Sequence, residues 1–223
     1  MQRSAEPKPE ELSPARKSYI LKIYYLFMMK EIYKKILEKA LPLYEKGREG
    51  DVEHIKWLSE VITKYVDESE VDYDILIPVV LLHDVGYSKV PKGSNPFDLD
   101  IRKFHSEEGA KIAEEILTEL NYPKDKINEI KRLILKHDNW AFGDDFADEP
   151  VLRIFNNFDF MWMASEKGFD IVRKFMKKEP KEFYEQIKEF QRKNEEEGRE
   201  WFNKNIEEFY NQLMKERKEG LST

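Results

Sequence analysis

Apolar residues recur at helical spacing along most of the chain, and no stretch shows the two-residue alternation expected of half-buried strands. The pattern predicts an all-α fold, a helical bundle. We expect its helices at about residues 15–47, 51–67, 74–87, 106–121, 124–137, 150–165, 168–177, 180–198 and 199–218. Two longer connections, Ser88 to Phe104 and Asp138 to Glu149, are rich in Gly, Pro, Asn and Asp. Residues that contact a substrate often lie in such segments.

The two ends of the chain differ from its middle. Residues 1–14 are polar, contain three prolines and predict a flexible N-terminal arm. Residues 15–223 predict a single all-helical domain, whose last part, residues 165–223, consists of amphipathic helices. Apolar helix stripes usually face a core. We therefore expect this C-terminal extension to pack against the preceding helices, with a homodimer interface as the alternative.

Composition narrows the class of protein. Of the 223 residues, 40% are hydrophobic and 37% are charged, and the formal net charge is -7. Nucleic-acid binding is disfavoured, because it depends on many cationic contacts with phosphates. The chain has no cysteine, which excludes disulfides, thiolate catalysis and cysteine-ligated zinc. No segment has the apolar character of a signal peptide or a membrane span, so we expect a cytoplasmic protein with no membrane partner.

The four histidines are placed where ordinary surface residues are not expected. His54 shares a helical stripe with apolar residues at steps of four, seven and eight, so it points inward. His83 and Asp84 end an apolar run, Ile75–Leu82, that predicts a buried central helix. His137 also lies on an apolar stripe. Burying such groups costs several kcal/mol unless they are paired or bind a metal.

Two further residues complete the set of candidates. Asp159 lies among bulky apolar residues at helical spacing, so its carboxylate must be neutralised, metal-bound or ion-paired, with Arg153 as a local partner. His105 precedes Ser106, a candidate helix cap, and is expected to face the loop. Each residue alone has an ordinary interpretation, since most buried polar groups are simply hydrogen-bonded. Six such residues on five different predicted helices or helix starts together favour a metal centre.

The order His54, His83-Asp84 and Asp159 resembles the HD-domain superfamily of metal-dependent phosphohydrolases. The segment LLHDVGY is similar to its apolar-His-Asp core, and the segments HSEEGAKIAEEIL and IKRLILKHD resemble those that carry further histidines in binuclear members. The resemblance covers residues 51–164, which it identifies as the metal-binding core. Many members have lysine where this chain has Tyr87. The lysines that could replace it are Lys89, Lys92 and Lys136.

The resemblance implies a site and a reaction. The implied metal ligands are His54, His83, Asp84 and Asp159, extended by His105 and His137 to a second position. Such nitrogen and oxygen ligands suit one or two divalent ions of Fe, Mn, Co, Ni or Zn. The implied activity is hydrolysis of a phosphomonoester or phosphodiester, on a small nucleotide-like substrate, by a metal-activated hydroxide.

Catalytic roles are expected for three residues. Asp84 is positioned to bridge two ions. Asp138 is a candidate general base, or alternatively a solvated cap at the start of a loop. Lys89, with Lys92 and Arg102, would contact the phosphate, unless these are ordinary surface charges. Two other functions fit the same ligand order: a di-iron oxygenase of the HD fold, and a metal-binding regulatory protein with little turnover.

Overall fold

The computed structural model describes residues 30–221. The predicted arm at residues 1–14 and the first part of the first predicted helix, residues 15–29, lie outside the described residues. Within the described range the chain forms nine α-helices and no strand, so the predicted all-α fold is confirmed. The helices are α1 (Glu31–Tyr44), α2 (Asp51–Tyr65), α3 (Tyr73–Leu82), α4 (Leu99–Glu119), α5 (Lys124–Lys136), α6 (Pro150–Met161), α7 (Glu166–Phe175), α8 (Pro180–Glu196) and α9 (Lys204–Gly220). Three short 3-10 helices join them, at Val85–Lys89, Asn139–Phe142 and Trp162–Ala164.

Helix α3 is the centre of the bundle. All of its residues from Ile75 to Leu82 are buried, as the continuous apolar run predicts. Helices α1, α2, α5 and α6 pack around it. Because α3 is surrounded on every side, whatever follows its last turn is carried into the interior, and His83 and Asp84 follow directly.

Glycine permits a close approach beside this point. The 3-10 helix Val85–Lys89 packs directly against α4. A Cβ atom on Gly86 would lie 1.9 Å from the carbonyl oxygen of His105 and 2.6 Å from the amide nitrogen of Gly109. Only glycine fits such a contact between two backbones. The contact holds α4 against the chain immediately after Asp84.

Three predicted boundaries differ from the structure. Helix α4 begins at Leu99 and not near residue 106, so His105 lies inside the helix. The first turns of α4 expose Leu99 and Phe104, which hides the helical period in the sequence. Helix α3 ends at Leu82, where a 3-10 turn takes over, and not near residue 87. Helix α9 begins at Lys204 and not near residue 199, because the Asn203 side chain accepts a hydrogen bond from the amide of Ile206 and caps it.

The last three helices pack against the rest of the bundle. Phe183, Ile187 and Ile206 are fully buried. Helices α7, α8 and α9 all contact the 3-10 helix Trp162–Ala164, and α9 also contacts α6. Among the described residues, no helix combines the length and the apolar character that crossing a bilayer requires.

Candidate metal centre

Five helices bring the six predicted ligands to one place. His54 comes from α2, the pair His83-Asp84 from the end of α3, and His105 from α4. His137 follows the last residue of α5, and Asp159 lies on α6. The expectation that His105 faces the loop was wrong, because its side chain is fully buried and points to the other histidines.

The ligating atoms form two groups that share one carboxylate. The first triad is His54, His83 and Asp84, and the second triad is Asp84, His105 and His137. Within each group the atoms lie within 4.8 Å of one another. Asp84 directs its Oδ2 to the first triad and its Oδ1 to the second.

Asp159 closes the first triad. Nε2 of His83 lies 3.2 Å from Oδ2 of Asp84, and Nδ1 of His54 lies 3.8 Å from the same oxygen. Oδ1 of Asp159 lies 3.0 Å from Nε2 of His54 and 4.0 Å from Nε2 of His83. The alternative partner Arg153 is not near this carboxylate, since its guanidinium donates to the carbonyl of Trp201.

The second triad is tighter. Oδ1 of Asp84 lies 3.3 Å from Nε2 of His105 and 3.6 Å from Nε2 of His137. The two Nε2 atoms lie 3.2 Å from each other. Oδ2 of Asp138 lies 3.7 Å from Nε2 of His105, so a second carboxylate borders this triad.

Three imidazoles are oriented by their own helices. Nδ1 of His83 lies 3.0 Å from the carbonyl of Val80, and the Nδ1 atoms of His105 and His137 make the same kind of contact at 3.1 and 2.6 Å. A carbonyl only accepts, so in the neutral form of each ring Nδ1 carries the proton and Nε2 is left with the lone pair that a metal ion would bind. Fixing the ligand tautomer through the far nitrogen is typical of metal-binding histidines.

The arrangement fits bound cations. In the first triad the buried Nε2 atoms of His54 and His83 have no hydrogen-bond partner, and in the second the Nε2 atoms of His105 and His137 both lie beside Oδ1 of Asp84. The 3.0 Å contact between His54 and Asp159 lacks the alignment of a hydrogen bond. Metal–ligand bonds of about 2.1 Å place adjacent ligand atoms roughly 3.0–3.4 Å apart, close to the spacings seen here. The buried His and Asp cluster can therefore hold divalent metal.

The electrostatics of the second triad also favour a positive charge. Burial opposes ionisation of Asp84, but Arg48 and the surrounding imidazoles outweigh it and hold the pKa of this carboxyl well below its usual range. Burial acts to lower the pKa of His137, yet the contact with Asp84 and the charge of Asp138 raise that pKa to about 9. For His105 burial prevails and lowers the pKa. The carboxylates thus attract a cation to this position.

Arg48 is a site residue that the sequence did not predict. Its Nη2 donates to Oδ2 of Asp84, and its Nε donates to Oδ1 of Asp51 at 2.9 Å. The guanidinium lies 3.6 Å from the centre of the Tyr87 ring, which stacks on His105 with 4.0 Å between centroids. Tyr87, which stands where many members of the family have lysine, therefore stacks against Arg48, an arginine from another segment of the chain. The only local signal is the three-residue spacing between Arg48 and Asp51.

The centre opens into a cavity of about 440 Å³. His54, Asp84, His137 and Asp159 are among the residues at its wall. Arg102 also lines it and donates to Oδ1 of Asp138 at 2.8 Å. The wall of the cavity also includes residues from α8 and from the connection to α9: Phe190, Gln191, Asn194, Arg199, Glu200 and Trp201.

The predicted basic residues of the loop are placed differently. Lys89 and Lys92 are exposed and do not line the cavity. Lys136 contacts Glu149 at 3.2 Å. Asp138, by contrast, is buried at the cavity wall, so it is not a solvated loop cap. The cations that reach the metal centre are arginines and not the lysines that the resemblance suggested.

Comparison with known proteins gives the family. The HD domain family matches residues 51–220, a range that contains all six candidate ligands and continues well beyond Ala164. No curated protein and no solved structure is significantly similar to the chain. The family match covers most of the chain, and the buried His and Asp residues inside the matched range lie together in the structure. The chain belongs to the HD-domain superfamily.

Proposed function

We propose that this chain is a metal-dependent phosphohydrolase that cleaves a phosphomonoester or phosphodiester of a small, nucleotide-like substrate. The observation that carries the proposal is the pair of ligand triads sharing Asp84 at the wall of a substrate-sized cavity. Two ions bridged by one carboxylate are a common arrangement for phosphate ester hydrolysis. Membership of the HD-domain superfamily points to the same reaction class.

Different residues of this chain have different roles in the proposed reaction. When bound, divalent ions supply a Lewis acid and lower the pKa of a coordinated water, so that hydroxide is available near neutral pH. Asp84 and the imidazoles hold those ions. Arg48 and Arg102 present guanidinium groups at the cavity, where they can stabilise negative charge on phosphoryl oxygens.

Asp138 is suited to proton transfer. Its Oδ1 accepts the hydrogen bond from Arg102, which fixes the carboxylate, while Oδ2 faces the second triad near His105. Hydrolysis forms a bond from a water oxygen to phosphorus and breaks the ester P–O bond. In our proposal Asp138 takes the proton of that water, and the leaving oxygen is protonated from solvent at the open side of the cavity. Lys89 is exposed and does not line the cavity, so the proposal gives it no role.

Elemental analysis and hydrolysis of p-nitrophenyl phosphate and bis(p-nitrophenyl) phosphate test the proposal. We expect about two metal equivalents in the wild type, fewer in His83→Ala and His137→Ala, and release of p-nitrophenol that depends on the added metal. Lys89→Ala is the matched control, because an exposed lysine outside the cavity should leave both readouts unchanged. Absence of metal even after reconstitution would contradict the proposal.

The same preparation separates the alternatives. A protein that contains mainly iron, consumes oxygen with a polyol or phosphonate, and releases no p-nitrophenol would be a di-iron oxygenase. A protein that holds metal but turns over none of these compounds would be a metal-binding regulator. Either result would replace the phosphohydrolase assignment while leaving the metal centre intact.

A further inference from the structure

One arginine of the cavity has no anionic partner. Four arginines line the cavity, and three of them contact a carboxylate: Arg48 with Asp84, Arg102 with Asp138 and Arg199 with Glu197. The guanidinium of Arg153 has no carboxylate of the described residues within 4.0 Å, and it donates to the carbonyl of Trp201 at 3.4 Å. Glu200 also lines the cavity, but its exposed carboxylate lies beyond that distance.

Arg153 has a neighbour that also offers a donor. Asn157 lies one helical turn further along α6, on the same face, and both residues line the cavity. The Asn157 side-chain oxygen accepts a hydrogen bond from the amide of Phe202 at 2.8 Å. That bond orients the amide group and leaves its Nδ2 without a partner among the residues the structure describes. Two oriented donors therefore face one part of the cavity.

The guanidinium of Arg153 is partly buried, lies 5.9 Å from the centre of the Phe202 ring and has no counter-charge, so an anion at this place would form a charged hydrogen bond with it. Its planar set of donors matches the two oxygens of a carboxylate or a phosphate. Neither donor can be satisfied by the other, because both groups donate. A ligand group with anionic oxygens would therefore complement the donors of Arg153 and Asn157.

The subsite residues and the metal ligand Asp159 lie on one helix. Arg153 is six residues and Asn157 two residues before Asp159, rises of about 9 Å and about 3 Å along the axis of α6. The rings of Phe160 and Trp201, whose centroids are 6.3 Å apart, line the same cavity. A ligand that reaches from Asp159 to Arg153 would therefore occupy a cavity whose wall includes apolar surface as well as the two polar positions.

We propose that Arg153 and Asn157 form a second anion-binding subsite, which binds a carboxylate or phosphate at the end of the substrate remote from the hydrolysed ester. The substrate class is then a phosphate ester with two anionic ends and an apolar middle. This inference rests on the proposed function, because it takes the ester phosphate to be held at the metal centre.

Three esters that differ only at their far end test the subsite: 6-(phosphonooxy)hexanoate, 1,6-hexanediol bisphosphate and 6-hydroxyhexyl phosphate. We expect one or both esters that have a second anionic end to show a KM about 10-fold to 100-fold lower than the hydroxyl ester, the gain of a charged hydrogen bond. The better of the two identifies carboxylate or phosphate as the preferred group. In Arg153→Gln the preference should disappear through KM with kcat retained, while Arg153→Lys should restore part of it.

Arg199→Gln is the matched control, since Glu197 already neutralises that arginine in the same cavity wall, and it should keep the preference. The comparison is made between substrates within one variant, so a general loss of folding changes all three rates together. Equal KM values in the wild type would overturn the subsite while the phosphohydrolase stands. If no ester is hydrolysed, the proposed function fails, and calorimetric titration of the metal-loaded protein with the three compounds decides on the subsite alone. Tighter binding of a compound with a second anionic end, abolished in Arg153→Gln, supports the subsite, and equal binding of all three overturns it.

Discussion

The two triads that share Asp84 are held in different ways. In the second triad, the ligand histidines His105 and His137 each bond through Nδ1 to a carbonyl of the preceding helical turn. In the first triad His54 has no such bond, and its ring stacks instead on Trp162, with 5.1 Å between centroids. His83 of the first triad makes the same local contact with the carbonyl of Val80, so the difference between the triads lies in His54, which is oriented by a tertiary contact. Asp84, which terminates the central helix, is common to both.

This difference suggests that the two halves of the centre respond differently to substitution. A ligand oriented within its own helix keeps its direction as long as the helix is formed. A ligand oriented by stacking depends on a residue that lies far away in sequence, here 108 positions beyond His54. We expect changes at the shared carboxylate to affect both triads, and changes at Trp162 to affect only the first.

Asp84→Asn should have the largest effect. The amide keeps the size of the side chain but removes the charge that both triads use, so we expect both metal equivalents to be lost and hydrolysis to fall at least about 10³-fold. Elemental analysis and p-nitrophenyl phosphate hydrolysis measure the two effects. Asp51→Asn is the control, because Asp51 contacts Arg48 but belongs to neither triad. Retention of one full equivalent in Asp84→Asn would show that Asp84 is not shared.

Gly86→Ala should lower the stability of the fold and move the histidines of the second triad away from Asp84. The new methyl group would collide with the backbone of α4, so we expect a loss of stability of about 2 kcal/mol or more and a second triad that no longer meets Asp84. Urea denaturation and metal content measure this. In Gly109→Ala the nearest atom is 3.2 Å from the added carbon, and the effect should be smaller. Equal stability of the two variants would contradict the close approach.

Trp162→Leu should act on one triad alone. Loss of the stacked ring leaves His54 free to turn, and we expect the first metal to bind about 10-fold to 100-fold more weakly, the usual effect of removing a residue that orients a ligand. Stepwise titration with Mn²⁺ or Zn²⁺ resolves the two sites. Trp57→Leu is the control, since Trp57 contacts Trp162 but not His54 among the ring contacts of the described residues. Equal weakening of both sites would remove the distinction between the triads.

The smallest effect concerns an ion pair that joins the helices carrying His137 and Asp159. Hydrogen bonds from Arg132 on α5 lower the pKa of Glu149, which precedes α6, to about 2. A depressed folded-state pKa contributes stability above the ordinary value of 4.5, and this contribution is lost as the pH falls towards 2. We expect Glu149→Gln to cost less than about 1 kcal/mol above pH 5.5 and progressively less below pH 4.5.

Urea denaturation from pH 7 to pH 3 measures this difference. Glu129→Gln is its matched control, because Glu129 contacts the same arginine but lies on α5 itself, so it does not connect the two helices. A stability difference for Glu149→Gln that does not change with pH would mean that the carboxylate is not the source of the effect.

The sequence predicted those parts of the site that depend on local periodicity. The burial of His54, of the helix Ile75–Leu82 and of His137 follows from apolar spacing within one helix. His105 was misplaced because the first turns of α4 expose apolar residues, and no local period marks the helix before Ser106. Arg48 was missed because its contact with Asp84 spans 36 positions and arises only when the helices pack. Tertiary packing, and not local preference, decides both cases.

The part of the cavity wall that comes from the connection between α8 and α9 has an evolutionary consequence. All six candidate ligands lie between His54 and Asp159, whereas Trp201 and Arg199 come from the connection between the last two helices. Mutations in that connection can accumulate without disturbing the residues that hold the metal. Gene duplication followed by drift in the last helices would therefore give paralogues with the same chemistry and different substrate preferences.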